Sequence, residues 1–121
     1  MATILVIDDS LTDQKELSNI LEKYNHQVLF SNDGTEGVAS ALKEQPDLIL
    51  MDIVMPGLNG FQATRQISKN SQTAHIPIIL ISSKDQETDK QWGLRQGAES
   101  YLTKPVNEKQ LMAEVTKLLQ A

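Results

Sequence analysis

Residues 47–60 read DLILMDIVMPGLNG, and the fold class follows from how that stretch is built. Asp47 to Met51 is an apolar run of strand length without helical spacing, and it ends abruptly at an acid, Asp52. Pro56, Gly57, Asn59 and Gly60 follow as a cluster of turn formers. The consecutive apolar residues Leu48, Ile49, Leu50 and Met51 imply a strand covered on both faces, as in parallel sheets. Such sheets bind and react in a crevice outside the carboxyl ends of their strands. Asp52 stands at such an end and is read as the reacting group.

Working outward, the same pattern recurs. Ile4 to Ile7 is an unbroken apolar run that ends in Asp8-Asp9. Ser10 with Asp13 resembles a capping box, and Leu17, Ile20, Leu21 and Tyr24 mark one helical face. Val28 to Phe30 is a short second strand. Val38, Ala41 and Leu42 give a second helical stripe, closed by Pro46, because a residue before proline resists helix. A third helix is predicted over Phe61 to Lys69. Ile76 to Ile81 is the fourth apolar run, with its proline near the start and Ser82 at its end. Residues 86–96 form a polar, weakly buried helix in which Trp92 is expected to pack as a partly buried aromatic. Ser100 to Thr103 is the fifth strand, followed by Lys104-Pro105. Asn107 with Gln110 can cap a last helix striped by Leu111, Met112, Val115, Leu118 and Leu119.

Strict alternation of strand and helix predicts an α/β fold, a single doubly wound (βα)5 flavodoxin-like domain over residues 1–121. Its parallel five-stranded sheet takes the order 2-1-3-4-5, which sets the ends of strands 1 and 3 beside each other. Asp8, Asp9 and Asp52 then share one crevice. At about 4 Å, each pair of carboxylates repels by about 1 to 4 kcal/mol, depending on how wet the site is. A hard cation explains such a cluster better than packing does. Magnesium takes oxygen ligands and is held by one or two carboxylates plus phosphate oxygens. Asp52 can attack phosphorus, since carboxylates form aspartyl phosphates. Lys104 supplies a neutralising cation and Ser82 a hydroxyl donor, each from its own strand end. Singly, each has a plainer reading: Asp8-Asp9 as a solvated turn, Asp52 opening a turn, Ser82 as a cap, Lys104 as a surface charge. Together they fall on one edge of the sheet.

Composition bounds the rest. With 11 basic against 16 acidic side chains the net charge is -5, which weighs against nucleic-acid binding through clustered cations. The absence of cysteine excludes a disulfide, a thiol nucleophile and a cysteine-based zinc site. No basic leader and no apolar run of membrane length is visible, so membrane insertion is not expected and the cytoplasm is the default location.

The set of Asp8-Asp9, Asp52, Ser82, Tyr101 and Lys104-Pro105 resembles the CheY-like receiver domain of two-component response regulators. The resemblance implies that Asp9, Asp52 and the backbone carbonyl of Val54 bind Mg²⁺ directly, with Asp8 reaching it through water. It implies that a histidine kinase, or its phosphotransfer domain, phosphorylates Asp52. Lys104 would pair with the acceptor or its phosphate, Ser82 would move toward the phosphoryl group, and Tyr101 would turn inward. A downstream protein would then dock on the surface of the fourth helix, fifth strand and fifth helix. The Lys104-Pro105 bond is expected to be cis. The stretches LMDIVMPGLNGFQATRQ (50–66), KDQETDK (84–90) and RQGAESYLTKPV (95–106) are similar to stand-alone receivers of type IV pilus (twitching motility) chemosensory systems.

By the same resemblance, Val54 and Lys84 occupy the positions that tune phosphate loss. Valine cannot orient a water, so slow self-dephosphorylation is expected. Such a chain is no enzyme in the usual sense, carries no output domain of its own, and is expected as a monomer or weak dimer. Three alternatives stay open: a flagellar-chemotaxis-type receiver or phosphate sink, an interaction module that is never phosphorylated, and a small phosphohydrolase with an aspartyl intermediate. The last would need a second acid to activate water.

Overall fold

Five strands and five helices alternate along the chain in a computed structural model that describes residues 1–120. They are β1 (Thr3–Ile7), α1 (Leu11–Lys23), β2 (Gln27–Ser31), α2 (Gly34–Glu44), β3 (Leu48–Met51), α3 (Gly60–Lys69), β4 (Ile78–Ser82), α4 (Glu87–Arg95), β5 (Ser100–Thr103) and α5 (Glu108–Gln120). All strand pairs are parallel and the order is β2-β1-β3-β4-β5, as expected. Ile7 aligns with both Ser31 and Met51, and Met51 with Leu80, so the strands end nearly flush. That flush edge is what gathers side chains from distant parts of the sequence.

The apolar runs divide by residue parity. Leu5, Ile7, Ile49, Met51, Ile78 and Leu80 face one core, closed by Ala41, Ala63 and Ile67 of α2 and α3. Ile4, Val6, Leu48, Leu50, Ile79 and Ile81 face the other, closed by Leu17, Leu21, Leu111, Met112 and Val115 of α1 and α5. Every residue of β3 is buried, the signature of a strand sandwiched between two helical layers. At ~25 cal/mol per Å² of apolar surface, each such side chain contributes ~1.5–3 kcal/mol. The sheet is therefore a stiff base for whatever sits on its edge.

Several local expectations shift. Tyr24 lies beyond α1 as its C-cap residue, and its hydroxyl donates to Glu108 at 3.0 Å instead of packing inward. Leu42 is exposed because α2 turns Gly34, Gly37 and Ala41 toward the sheet. A Cβ on Gly37 would sit 2.8 Å from Ile7 Cγ2, so only glycine allows this approach. Trp92 is half exposed, and its neighbour Gly93 is what α4 buries. Ile76 and Pro77 precede β4, although the Pro77 carbonyl still accepts from Ile49 N at 3.0 Å. Asp47 precedes β3 and accepts from Thr3 N at 2.8 Å. The cap predicted for the last helix forms, with Gln110 N donating to Asn107 Oδ1 at 2.9 Å. Among the described residues no helix is long and apolar enough to cross a membrane.

Candidate functional site

At the carboxyl ends of β1, β3, β4 and β5 stand Asp8-Asp9, Asp52, Ser82 and Lys104, Ser82 as the last residue of β4 and the others just beyond their strands. Asp8 and Ser82 are fully enclosed, Asp52 is 8% exposed, and Asp9 is open to solvent. One carboxylate oxygen from each of Asp8, Asp9 and Asp52 lies within 4.8 Å of the others. Among the described residues this is the one acidic group with metal-ligand spacing.

Local geometry fixes each member. Asp52 N donates to Ile7 O at 2.9 Å, which extends the β1–β3 ladder by one rung and locks Asp52 beside Asp8. Gly60 N donates to Ile53 O at 2.9 Å, and a Cβ on Gly60 would collide with the Asp52 carbonyl oxygen. The start of α3 is thus packed directly against the Asp52 backbone. Asp8 Oδ1 accepts from Ser10 N at 2.9 Å, and the Asp8 carbonyl accepts from Gln14 Nε2 at 2.6 Å. Lys104 N donates to Ser82 O at 2.9 Å, and the Lys104–Pro105 peptide is cis, as expected.

One ammonium serves the carboxylates. Lys104 Nζ lies 3.3 Å from Asp52 Oδ1, 3.2 Å from Asp8 Oδ2 and 2.7 Å from Asp13 Oδ2. Burial, and then the neighbouring Asp8 charge, push the Asp52 carboxyl up to about 6 despite Lys104. Burial raises Asp8 as well. Burial opposes the charge of Lys104, but Asp13, Asp52 and Asp8 together hold the ammonium above the ordinary lysine range. Three carboxylates therefore share one ammonium, in a crevice that is closed at Asp8 and open at Asp9. An all-oxygen donor set with raised acids and a solvent-facing member fits a hard divalent cation that retains waters.

Asp13 is the member that sequence reasoning missed. Its expected partner was Ser10, and half of that box forms: Ser10 Oγ accepts from Asp13 N at 3.2 Å. The reciprocal bond is pre-empted because Ser10 N donates to Asp8, which frees the Asp13 carboxylate for Lys104. The usable signal was position, since a residue in the first turn of α1 faces the same rim as the Asp8-Asp9 pair. Ser82 and Tyr101 are joined through one residue: Ser82 Oγ accepts from Lys84 N at 3.2 Å, and Tyr101 Oη donates to Lys84 O at 2.6 Å. The side chains of Val54 and Lys84 are exposed. A concavity of about 830 Å³ lies at the opposite, amino-terminal end of the sheet, lined by Met1, His26, His75 and Glu99. It contains none of these groups.

A doubly wound five-stranded sheet with an acidic cluster and a lysine on its carboxyl edge defines a class, and the chain belongs to it: residues 4–116 match the response regulator receiver domain family. Within that family it is 57% identical to Protein PilH of Pseudomonas aeruginosa, over 98% of both chains. It superimposes on the chemotaxis protein CheY4 of Vibrio cholerae with a TM-score of 0.90 at 30% identity, covering 98% of each chain. It also superimposes on the receiver domain of the sensor histidine kinase PA1611 from Pseudomonas aeruginosa, with TM-score 0.92, 28% identity and coverage of 99% and 98%. That structure has a magnesium ion coordinated in its active-site cleft.

Proposed function

We propose that this receiver accepts a phosphoryl group from a histidine kinase or its phosphotransfer domain onto Asp52, and that the modification switches a partner-docking surface. The observation that carries the reading is the convergence of Asp8, Asp9 and Asp52 within 4.8 Å under a lysine 3.3 Å from Asp52. Asp9, Asp52 and the Val54 carbonyl would hold Mg²⁺, with Asp8 acting through water. Bound there, the cation supplies charge neutralisation for an incoming phosphoryl group.

The chain's own residues account for the remainder. Asp52 Oδ attacks phosphorus, the bond from phosphorus to the donor's histidine nitrogen breaks, and the electron pair leaves on that nitrogen. The raised pKa of Asp52 marks a carboxylate that burial has made more basic than usual. Lys104 offsets the charge that develops on the phosphoryl oxygens. Ser82 Oγ, which accepts from Lys84 N, keeps its own proton free to donate to a phosphoryl oxygen. Movement of Ser82 would pull on the peptide of Lys84 and so on Tyr101. The α4–β5–α5 face carries both Tyr101 and the half-exposed Trp92, which supports it as the docking surface. The likeness to PilH supports a place in type IV pilus (twitching motility) signalling. A hydrolase reading lacks a base, because an exposed valine and a lysine stand where a water would need activation.

The test is intact-mass spectrometry after incubation with acetyl phosphate. The expected result is gain of one phosphoryl group with MgCl₂, none with EDTA and none in Asp52→Ala. Phosphotransfer profiling against histidine kinases then identifies the donor. A wild-type protein that stays unlabelled overturns the reading.

A further inference from the structure

Of the three carboxylates on the Lys104 ammonium, Asp13 makes the shortest contact, 2.7 Å against 3.2 and 3.3 Å, and it alone lies outside the Asp8-Asp9-Asp52 cluster. An ammonium has three donors, and here each is met by a different carboxylate. A cation among Asp8, Asp9 and Asp52 competes with the ammonium for the two carboxylates that two of those donors use. Asp13 is the partner that this demand leaves in place. It is also well anchored. Its backbone N–H is capped by Ser10, and it stands in the first turn of α1, whose buried Leu17 and Leu21 fix the helix to the sheet.

Lys104 needs such an anchor. Its main chain is held by Ser82, but four rotatable bonds separate Cα from the ammonium. A groove of about 350 Å³ opens beside it, lined by Asp13, Glu16, Leu17, Ser83 and Val106. A lysine released from Asp13 has room to leave the crevice, and Glu16 offers it an alternative carboxylate there.

We propose that Asp13 is a positioning residue for phosphoryl acceptance: from α1 it holds the Lys104 ammonium over the crevice while the other carboxylates engage the cation and the phosphoryl group. The inference rests on the phosphoacceptor reading above. It makes the amino terminus of α1 part of the reaction machinery, through a residue that touches neither metal nor phosphorus.

The experiment compares wild type, Asp13→Asn, Asp13→Glu and Glu16→Gln by three readouts. The first is the rate of labelling by acetyl phosphate at saturating MgCl₂. The second is Mg²⁺ affinity by calorimetry. The third, at saturating MgCl₂, is the solvent-protected Nζ–H signal of Lys104 in NMR spectra. Asp13→Asn should label about tenfold more slowly, within the roughly hundredfold that a misplacement of about 1 Å costs. Its Mg²⁺ affinity should change less than about threefold, as expected for a partly exposed charge outside the Asp8-Asp9-Asp52 cluster. The Lys104 signal should vanish in Asp13→Asn and return, with most of the rate, in Asp13→Glu. Glu16→Gln removes the same charge from the same groove and should leave all three readouts near wild type. Labelling of Asp13→Asn at the wild-type rate, a rate loss matched by equal loss of Mg²⁺ affinity, or a Lys104 signal that survives in Asp13→Asn each overturns the proposal. A wild type that takes no label removes the phosphoacceptor reading and this inference with it, whereas a labelled wild type with an equally fast Asp13→Asn removes the inference alone.

Discussion

Replacing the buried Asp52 by its neutral isostere, Asp52→Asn, should stabilise the metal-free protein. Asp52 is 8% exposed, and its carboxyl is lifted from the ordinary 3.8 to about 6, first by burial and then by Asp8. A shift of roughly two units at ~1.36 kcal/mol each sets a ceiling of ~3 kcal/mol for the cost of ionising it in the folded state. Coulomb's law gives a similar scale: two carboxylate oxygens within 4.8 Å repel by roughly 1 to 3.5 kcal/mol as the effective dielectric falls from about 80 to 20. Water reaching the open side, and the weak 3.3 Å contact that Lys104 loses, bring the net gain to about 1–2 kcal/mol.

The sign fixes the pH window. Between about pH 4 and 6 folded Asp52 keeps a proton that the unfolded chain has released, so wild-type stability falls as pH rises through that range. The neutral amide of the variant has no such loss. The advantage of Asp52→Asn is therefore near zero at pH 4, grows toward pH 6 and is constant above it. Guanidinium unfolding in EDTA from pH 4 to 8 measures it directly. Saturating Mg²⁺ should shrink or reverse the difference, since wild type then gains binding energy in the folded state only. An Asp52→Asn protein no more stable than wild type at pH 7.5 in EDTA, or a difference that ignores pH, refutes the claim that this carboxylate is confined at a cost.

Other consequences follow from the same geometry. Val54→Asn with Lys84→Glu restores a group to orient water and a base to take its proton, so the phosphorylated double variant should decay roughly tenfold faster by intact mass; equal or slower decay refutes the tuning role. Gly60→Ala drives a methyl into the Asp52 carbonyl and should cost ~1–3 kcal/mol in denaturant unfolding while weakening Mg²⁺ binding. Leu21→Ala empties a fully buried site and should cost ~2–5 kcal/mol, whereas Leu42→Ala, at an exposed position, should stay within ~0.5 kcal/mol. Hydrogen exchange should be fastest in α4 among the helices, because α4 buries only Gly93 and has no side-chain cap.

The fold was legible because parallel strands buried on both faces need unbroken apolar runs, and ILVI and LILM have no other economical use. Once the strands were placed, alternation and strand order put Asp8, Asp9, Asp52, Ser82 and Lys104 on one edge without any knowledge of side-chain contacts. What stayed hidden depended on orientation within elements. Leu42 fits a helical stripe by spacing, yet α2 centres its buried face on Gly34, Gly37 and Ala41, where the absence of side chains allows close approach to Ile7. Trp92 is the largest apolar group of α4, yet the helix buries the adjacent glycine against Leu80 and Tyr101. Asp13 was hidden for a different reason. Its backbone does what a cap position requires, and only the diversion of Ser10 N to Asp8 shows that its carboxylate is free for another partner.

These exceptions share a logic that connects the edge of the sheet to its surroundings. The apolar cores on both faces make the sheet and the helices α1 and α5 costly to move. α4 is built the opposite way, with one buried residue and exposed Trp92 and Leu94. The bond from Tyr101 to Lys84 O ties β5 to the loop that leads into that helix, and Ser82 ties the same residue to the crevice. A charge placed on Asp52 thus meets a rigid wall on the α1 side, where Asp13 holds Lys104, and a compliant one on the α4 side. On the proposed function, this asymmetry in burial, more than any single contact, would direct the response to that charge toward the α4 side.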